Sequence, residues 1–359
     1  MKLLTIVGAR PQIIKAAALS RAVAAVGQGR VVEHLLHTGQ HYDHSLSGRF
    51  FDELGVPRPD FNLGVGSGPH GWQTARMLEG VEQILLGNHY DGVVVYGDTN
   101  STLAGALAAS KLHLPLFHIE AGLRSHNMAM PEEVNRVVAD RLASLLFAPT
   151  AEACTNLRRE GYVENTIVES GDVMYDNALH FSAMAEQAPS LATSLGLEHK
   201  RFVLATVHRD FNTDTPERLR AIVAALEEVD RHFMPVVMPL HPRTKDRLGS
   251  YQPRITAVLQ PVGYLEMLQL ERHAHVVVTD SGGVQKEAYF LATPSVILRP
   301  ETEWTEIVAA GAAKLVDADP KAIVDACQTL QQPSPASTNL YGDGHAAEKI
   351  IAKIIAFAQ

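Results

Sequence analysis

The sequence predicts an α/β protein built from two doubly wound, Rossmann-like domains. Short β-branched runs alternate with amphipathic helical patterns along the chain, which is typical of parallel sheets wrapped by helices. The 359 residues are enough for two hydrophobic cores. Because the alternation restarts after Gly171-Asp172, we expect domains over 1–172 and 173–342, followed by a C-terminal helix within 343–359.

The first domain is predicted from five strands and the helices between them. The strands are expected at Leu3–Val7, Val31–Leu36, Gly92–Tyr96, Pro115–His118 and Leu145–Phe147. The helices are expected at Lys15–Val26 and from near Thr74, Ser101 and Glu133.

The second domain repeats the pattern. Its strands are expected at Phe202–Thr206, Val236–Met238, His275–Thr279 and Ser295–Leu298. A helix and loop over Asp176–Leu197 are expected to join the domains, and His345–Phe357 is expected to be the last helix. Ligands of open parallel sheets bind beyond the carboxyl ends of strands, so we predict a site in a cleft that the two domains face.

Composition limits the class of ligand and compartment. The net charge is -9, which provides no basic field for a nucleic acid or an anionic membrane. Cys154 and Cys327 form no C-x-x-C pattern, which favours a reducing cytoplasm over a disulfide framework or a zinc cluster. The start of the chain lacks a signal-peptide pattern, and no apolar stretch has transmembrane length. We therefore expect a cytoplasmic protein that holds small anionic ligands by local positive groups.

Ser281-Gly282-Gly283 lies between a predicted strand and a helix. Unpaired backbone N–H groups and the positive helix end converge there, and glycines allow close approach, so the turn suits a diphosphate. An ordinary helix N-cap explains the same residues equally well. Glu287, one turn along, is a candidate for ribose hydroxyls or an ordinary solvated residue.

Carboxylates follow predicted strands or open a helix in the first domain. Asp98 and Glu120 come after strands, and Glu132 and Glu133 begin a helix. Acidic groups brought together in a cleft are what general acid–base chemistry requires. Asp98, Glu132 and Glu133 also suit helix N-termini for structural reasons, whereas Glu120 has no capping duty.

Positive and titratable groups stand at other strand ends. Arg10 and Lys15 follow the first strand and suit phosphate or leaving-group stabilisation; a capping arginine and a surface lysine are the alternative. His208-Arg209 and His241 follow strands of the second domain, and one histidine could assist a departing phosphate.

Two further patterns fail in context. Gly66–Gly71 matches G-x-G-x-x-G but follows no convincing strand, so it does not predict a dinucleotide site. His37, His41 and His44 have spacings of a metal-binding helix face, but Thr38-Gly39-Gln40 breaks a helix there. We therefore predict no metal site and no cofactor.

A series of motifs resembles the non-hydrolysing UDP-N-acetylglucosamine 2-epimerase family over nearly the whole chain. The motifs are, in order, GARPQIIKAA, HTGQHYD, YGDTNST, HIEAGLRS, MPEEVNR, VHR, LHPRT, DSGGVQKEA and YGDGHAAEKI. The resemblance implies the glycosyltransferase-B architecture, a last helix that packs back on the first domain, and a homodimer.

The resemblance also implies roles for individual residues. Those implied for catalysis are Asp98, Glu120, Glu132 and His208. Those implied for UDP binding are Arg10, Lys15, Ser281, Gly282, Gly283 and Glu287. Those implied for a second, activating UDP-sugar or for supporting positions are Gln40, His41, Glu133, Arg209 and His241.

The implied reaction is inversion at carbon 2 of a UDP-2-acetamido sugar by elimination and re-addition of UDP. Thr302–Glu306 and His126–Met130 resemble the subgroup that acts on UDP-2,3-diacetamido-2,3-dideoxy-glucuronate for surface-polysaccharide synthesis, so this sugar and UDP-GlcNAc are both expected substrates. Asp43 stands where activated members carry Gln, and in Asp210-Phe211-Asn212 the family usually has Glu before the Asn. The alternatives are a glycosyltransferase of the same architecture, a hydrolysing epimerase, and a catalytically silent nucleotide-sugar sensor.

Overall fold

The computed structural model describes residues 1–27, 29–40, 57–332 and 339–358, and for Arg10 it describes the backbone alone. The chain forms two compact units, which we call unit 1 (residues 1–177 and 341–359) and unit 2 (residues 178–340). The division falls inside a helix, Val173–Ala185, rather than before it as the sequence suggested.

Unit 1 contains a parallel sheet of seven strands in the part of the chain that is described. The strands are β1 Lys2–Val7, β2 Val32–His37, β3 Phe61–Asn62, β4 Gly92–Tyr96, β5 Leu116–Ile119, β6 Leu145–Ala148 and β7 Ile167–Glu169. Their order is β3-β2-β1-β4-β5-β6-β7. The central strands are buried on both sides, which explains why their sequences are continuous apolar runs.

The helices of unit 1 cover this sheet. They are α1 Arg10–Val26, α2 His70–Gly87, α3 Asn100–Lys111, α4 Pro131–Leu142, α5 Ala151–Arg159, α6 Val173–Ala185, whose second half belongs to unit 2, and, at the C-terminus, α15 Ala346–Phe357.

Unit 2 repeats the architecture with six strands among its described residues. They are β8 Val203–Thr206, β9 Val236–Pro239, β10 Ala257–Leu259, β11 Val276–Thr279, β12 Ser295–Ile297 and β13 Ala313–Leu315, in the order β10-β9-β8-β11-β12-β13. Its helices are α7 Leu191–Ser194, α8 Asp210–Thr213, α9 Pro216–His232, α10 Pro242–Leu248, α11 Tyr264–His273, α12 Gly282–Phe290, α13 Thr305–Ala309 and α14 Pro320–Thr329. Two Rossmann-like units are therefore present, as predicted.

Each sheet reverses its strand order at one place, between β1 and β4 in unit 1 and between β8 and β11 in unit 2. Connections leave the sheet in opposite directions at such a switch point and open a crevice beyond the carboxyl ends of the strands. The residues that follow these four strands are the ones best placed to meet a ligand.

The C-terminal helix α15 belongs to unit 1 and packs on α1. The carboxylate of Asp176 accepts hydrogen bonds from the backbone N–H groups of Ala346 and Ala347, at 3.0 and 2.7 Å. Phe357 packs edge-on against Phe117 of β5. A carboxylate at the positive end of a helix and a buried apolar face together fix α15.

Most element boundaries differ from the prediction by a residue or so, but helix α1 begins at Arg10 rather than at Lys15. The side chain of Gln12 accepts hydrogen bonds from the N–H groups of Gly8 and Ala9, at 2.8 and 3.2 Å, and so caps an earlier start. Strand β5 extends to Ile119, which makes Glu120 the first residue beyond it. No described helix combines the length and the apolarity needed to cross a membrane.

Unit 2 buries one carboxyl group without a partner. Glu271 on α11 is fully buried, and neither of its carboxyl oxygens has a hydrogen-bond partner among the described residues. Burial, with a smaller contribution from the charge of Glu287, raises the pKa of Glu271 well above its usual range. Unfolding then releases a proton once the pH exceeds the ordinary value of about 4.3, so stability falls as the pH rises toward the raised pKa.

Replacing Glu271 by Met should stabilise the protein at pH 8 by about 1–3 kcal/mol, because it removes an unpartnered buried polar group and keeps its volume. Urea unfolding measured from about pH 5 to pH 9 should show a smaller loss of stability with pH in Glu271→Met than in the parent. Glu198→Gln, which changes a carboxylate of unit 2 that is 75% exposed, is the control. If the free energy of unfolding fell as steeply with pH in Glu271→Met as in the parent, the buried Glu271 carboxyl group would not be the cause of that fall.

Candidate active site

The carboxyl ends of β4 and β5 bring two predicted carboxylates to one edge of unit 1. Asp98 follows β4 and Glu120 follows β5, and these neighbouring strands stay in register to their ends, where Gly97 N–H donates to the Ile119 carbonyl at 2.9 Å. Asp98 is not the cap of helix α3, because Thr99 takes that position and accepts from Thr102 N–H. Asp98 therefore does not cap this helix.

Glu120 forms an ion pair with Lys15 of helix α1. Both side chains are nearly buried, at 13% and 12% exposure. Burial opposes the charge of Lys15, but the carboxylates of Glu120, Asp98 and Asp172 outweigh it and raise the Lys15 pKa above its ordinary value. Lys15, which the resemblance assigned to UDP, is therefore a charged partner of Glu120 in unit 1.

The backbone of Glu120 has a φ of 71°, in the left-handed region that favours glycine. Such a conformation costs about 1–3 kcal/mol in a residue with a Cβ atom and persists only where the surroundings enforce it. The N–H groups of Glu120 and Ala121 both donate to the Phe147 carbonyl at 3.0 Å, which holds the turn. A Cβ atom at Gly97 would lie 2.9 Å from a Glu120 carboxylate oxygen, so a glycine at position 97 leaves room for the Glu120 carboxylate.

Asp98 is held by helix α4 through two contacts. Its carboxylate pairs with Arg136, and its carbonyl accepts from the Asn135 side chain at 2.9 Å. The second guanidinium nitrogen of Arg136 lies 3.0 Å from Glu133. Arg136 was absent from the predicted site, although its place one turn after Glu132 and Glu133 on a predicted helix was a usable signal.

The two acidic residues that open α4 have different surroundings. Glu133 is buried and accepts from the N–H groups of Ser125 and His126, at 3.0 and 2.9 Å. Although burial opposes its charge, these hydrogen bonds and Arg136 lower the Glu133 pKa. Glu132 is exposed. Glu133 thus anchors Arg136 and the preceding loop, while Glu132 is the residue of the two that solvent and ligands reach.

A buried polar network lies behind these carboxylates. His118 at the end of β5 contacts the Gly97 carbonyl through Nε2 at 2.8 Å and the Asp140 carboxylate through Nδ1 at 2.7 Å. Asp140 also accepts from Gly122 N–H at 3.1 Å and pairs with Arg124 at 2.7 Å. Burial opposes the charge of Asp140, but His118 and Arg124 outweigh it and lower the Asp140 pKa. The network connects both strand ends to helix α4.

In unit 2, Asp280 organises the ends of β8 and β11. It is fully buried, and its carboxylate accepts from the backbone N–H groups of His208 and Arg209, at 3.1 and 3.0 Å, and from the Asn212 side chain at 3.1 Å. The cap of helix α12 is instead Ser281, whose side chain accepts from Val284 N–H at 3.4 Å. Asp280 therefore holds the loop after β8 against the start of α12.

The two glycines at the start of α12 have different surroundings. Gly282 is buried, and a Cβ atom there would collide with the Glu303 carboxylate. Gly283 is exposed, and the nearest atom to a Cβ there would be Ser281 Oγ at 3.9 Å. Because first-turn amides lack partners within their helix, the exposed Gly283 leaves this helix start open to solvent, whereas the Ser281 N–H donates to Thr279 Oγ1 at 3.0 Å. Glu287 lies one turn further along this helix and is partly buried.

His208 and His241 stack at the carboxyl ends of β8 and β9, with ring centroids 5.3 Å apart. Burial lowers the His208 pKa, and the positive potential of His241 and Arg209 lowers it further against the opposing charge of Asp280. The His208 imidazole is therefore neutral at pH 7 and can exchange a proton there. His241 also caps helix α10 by accepting from Arg243 N–H, and the Arg209 side chain is exposed.

The remaining predicted residues are Gln40, His41 and Arg10. The Gln40 side chain is buried in unit 1, where it accepts from the N–H and Oγ of Ser101, at 3.1 and 2.8 Å. His41 and the Arg10 side chain lie outside the described residues. Over the described ranges, no group of three or more His, Cys, Asp or Glu side chains could hold a metal ion.

Comparisons with known proteins point to one family and cover nearly the whole chain. A family model described as UDP-N-acetylglucosamine 2-epimerase matches residues 25–355. A UDP-2,3-diacetamido-2,3-dideoxy-D-glucuronate 2-epimerase of Pseudomonas aeruginosa is 49% identical, covering 98% of each chain. A UDP-N-acetylglucosamine 2-epimerase of Methanocaldococcus jannaschii is 41% identical, again over 98% of each chain. The crystal structure of a UDP-GlcNAc 2-epimerase from that organism, in complex with UDP-GlcNAc and UDP, matches with a TM-score of 0.82 at 40% identity, covering 99% of this chain and 100% of that chain.

Replacing Asp280 by Asn should lower the free energy of unfolding by roughly 1.5–3 kcal/mol, because an amide offers one acceptor where the carboxylate serves several N–H groups. Urea unfolding measures the change. Asp246→Asn alters an exposed residue of unit 2 and should change stability by less than about 0.5 kcal/mol. Equal stability of Asp280→Asn and the parent would show that Asp280 does not hold the loop after β8.

Proposed function

The chain belongs to the UDP-N-acetylglucosamine 2-epimerase family, and we propose that it inverts carbon 2 of UDP-2,3-diacetamido-2,3-dideoxy-glucuronate. It is an epimerase of UDP-sugars. The sugar is inferred from the 49% identical relative and from the segment that follows β12. UDP-GlcNAc is the alternative substrate.

The observation that carries the proposal is the position of Trp304. Its indole N–H donates to the Gly282 carbonyl at 2.9 Å, and its ring lies 4.3 Å from Lys286 Nζ. Glu303 pairs with Arg299 at 2.6 Å and fills the space beside Gly282. The segment in which this chain resembles the diacetamido-glucuronate subgroup is thus packed on the first turn of the helix proposed to hold the diphosphate.

We assign the nucleotide to unit 2. The amides of Gly282 and Gly283 and the Ser281 hydroxyl would hold the diphosphate, and Glu287 would accept from ribose hydroxyls. His208, which is neutral near pH 7, would donate to or accept from the departing phosphate oxygen. Arg10 is proposed to add positive charge to the nucleotide site, and Arg209 and His241 are proposed to support it.

We assign the proton transfers to the carboxylates of unit 1. The proton on carbon 2 is too weakly acidic for direct removal, because that carbon is not next to a carbonyl group. As the bond from carbon 1 to the UDP oxygen lengthens, positive character on carbon 1 acidifies the adjacent C–H. One carboxylate among Asp98, Glu120 and Glu132 would then take the proton.

The electrons of the C–H bond form a double bond between carbons 1 and 2, and those of the broken C–O bond leave with UDP. The intermediate is a 2-acetamidoglycal and the carboxylate is protonated. Re-addition of UDP oxygen to carbon 1, with a proton delivered to the opposite face of carbon 2 by a second, protonated carboxyl group, gives the epimer. Proton exchange with solvent then returns both carboxyl groups to their starting states. This sequence consumes no co-reactant.

The proposal predicts deuterium at carbon 2 of the product when the reaction runs in deuterated water. UDP-2,3-diacetamido-2,3-dideoxy-glucuronate and UDP-GlcNAc should be incubated separately and followed by NMR. We expect faster turnover of the first, with no free sugar. A glycosyltransferase would instead require an acceptor, a hydrolysing epimerase would accumulate UDP and free sugar, and a nucleotide-sugar sensor would bind without turnover. Retention of the original hydrogen would exclude the elimination.

Arg136→Gln should lower kcat by about 10- to 100-fold with little change in KM, since the Asp98 carboxylate loses the cation that aims it while the nucleotide site of unit 2 is untouched. Steady-state kinetics measures both constants.

The matched control is Arg141→Gln, the same substitution on the same helix at an arginine that lies over the Tyr162 ring. It should leave kcat within about twofold, as expected of a surface change. An equal loss in both variants would assign the effect to helix α4 rather than to the Asp98 pair. The homodimer implied by the resemblance and the cytoplasmic location expected from the composition stay predictions.

A further inference from the structure

The contacts of His118 determine where its protons lie. Nε2 lies 2.8 Å from the Gly97 carbonyl oxygen, which can only accept, so Nε2 must donate. Nδ1 lies 2.7 Å from Asp140 Oδ1, and an ionised carboxylate oxygen also only accepts. A neutral imidazole has one N–H group, so both hydrogen bonds form only if either His118 or Asp140 carries an additional proton.

The charges around Asp140 decide between these two arrangements. Arg124 lies 2.7 Å from the other Asp140 oxygen, which also accepts from Gly122 N–H at 3.1 Å. A guanidinium at this distance favours the ionised carboxylate, so the proton resides on His118. Arg124 also pairs with Glu160 at 2.7 Å, so the network of His118, Arg124, Asp140 and Glu160 contains two cations and two anions. Its charges balance, and Glu160, 34% exposed, compensates Arg124 from the solvent side, which makes the burial of the other three residues tolerable.

We propose that His118, which lies between two acceptors, is an imidazolium cation and acts as a positioning residue for the two strand-end carboxylates. Its Nε2–H fixes the carbonyl of Gly97, the residue before Asp98. The partner of its Nδ1–H, Asp140, fixes Gly122, two residues beyond Glu120. One buried cation thereby sets the spacing of both turns. Because both of its ring N–H groups are engaged in these hydrogen bonds, His118 takes no part in proton transfer to the sugar.

A joint neutron and X-ray structure of the full chain, from crystals in deuterated buffer at about pD 8, tests the charge directly, since an ordinary histidine is neutral well above about 6.5. We expect deuterium on both ring nitrogens of His118 and none on Asp140. A ring nitrogen without deuterium, or a deuterated Asp140, would overturn the assignment. This result does not depend on the proposed function.

The positioning role, which rests on the proposed function, is tested by His118→Gln. A glutamine can donate to Gly97 but presents either an uncharged donor or an acceptor to Asp140. We expect kcat to fall by about 10- to 100-fold and KM to change little, as for other residues that orient catalytic groups. UDP affinity, measured by calorimetry, should stay within about twofold because unit 2 is unchanged.

His34→Gln is the matched control, since His34 is a partly buried strand histidine of unit 1 that bonds to Tyr90 at 3.0 Å and contacts neither turn. It should retain kcat. Full kcat in folded His118→Gln, or an equal loss in both variants, would overturn the positioning role. If His118→Gln does not fold, Asp140→Asn in the wild-type background replaces it. Full kcat in folded Asp140→Asn would likewise overturn the positioning role.

Discussion

Burying an ionised carboxylate costs several kcal/mol unless a cation and hydrogen bonds compensate it, and this constraint shapes the carboxyl edge of unit 1. Glu120 has Lys15, Asp98 has Arg136, and Asp140 has Arg124 and His118. The cations come from helix α1, helix α4, strand β5 and the turn after β5. The positions of the carboxylates therefore depend on how these helices pack on the sheet. The helices in turn pack stably only because the buried charges are paired.

Unit 2 meets the same constraint with backbone amides in place of charged side chains. Asp280 is fully buried and receives its compensation from N–H groups of the loop after β8 and from Asn212. Because the donors are mostly main-chain atoms, their geometry survives changes of side chain. The exposed Gly283 beside it leaves the amides of the helix start accessible to an anion. One unit is thus organised around ion-paired carboxylates and the other around a buried carboxylate beside an open helix start.

The fold was predictable because buried parallel strands leave a simple signal, a short apolar run followed by a polar turn. Asp98, Glu120, His208 and Ser281 were recognisable as candidates because each comes within two residues of the end of such a run. Arg136 and Asp140 were missed because their importance comes from partners 38 and 22 residues away, which no local pattern records. The opposite environments of Glu132 and Glu133 depend on the path of the 125–126 loop, which the sequence does not specify.

The left-handed backbone of Glu120 links durability to chemistry. Glycine would relieve the backbone strain at this position, but it would also remove the acid and leave the nearly buried Lys15 without the Glu120 carboxylate. The gain in backbone energy is therefore opposed by the loss of a buried ion pair. Relaxing the backbone at residue 120 by substitution costs both the acid and the charge balance of the turn.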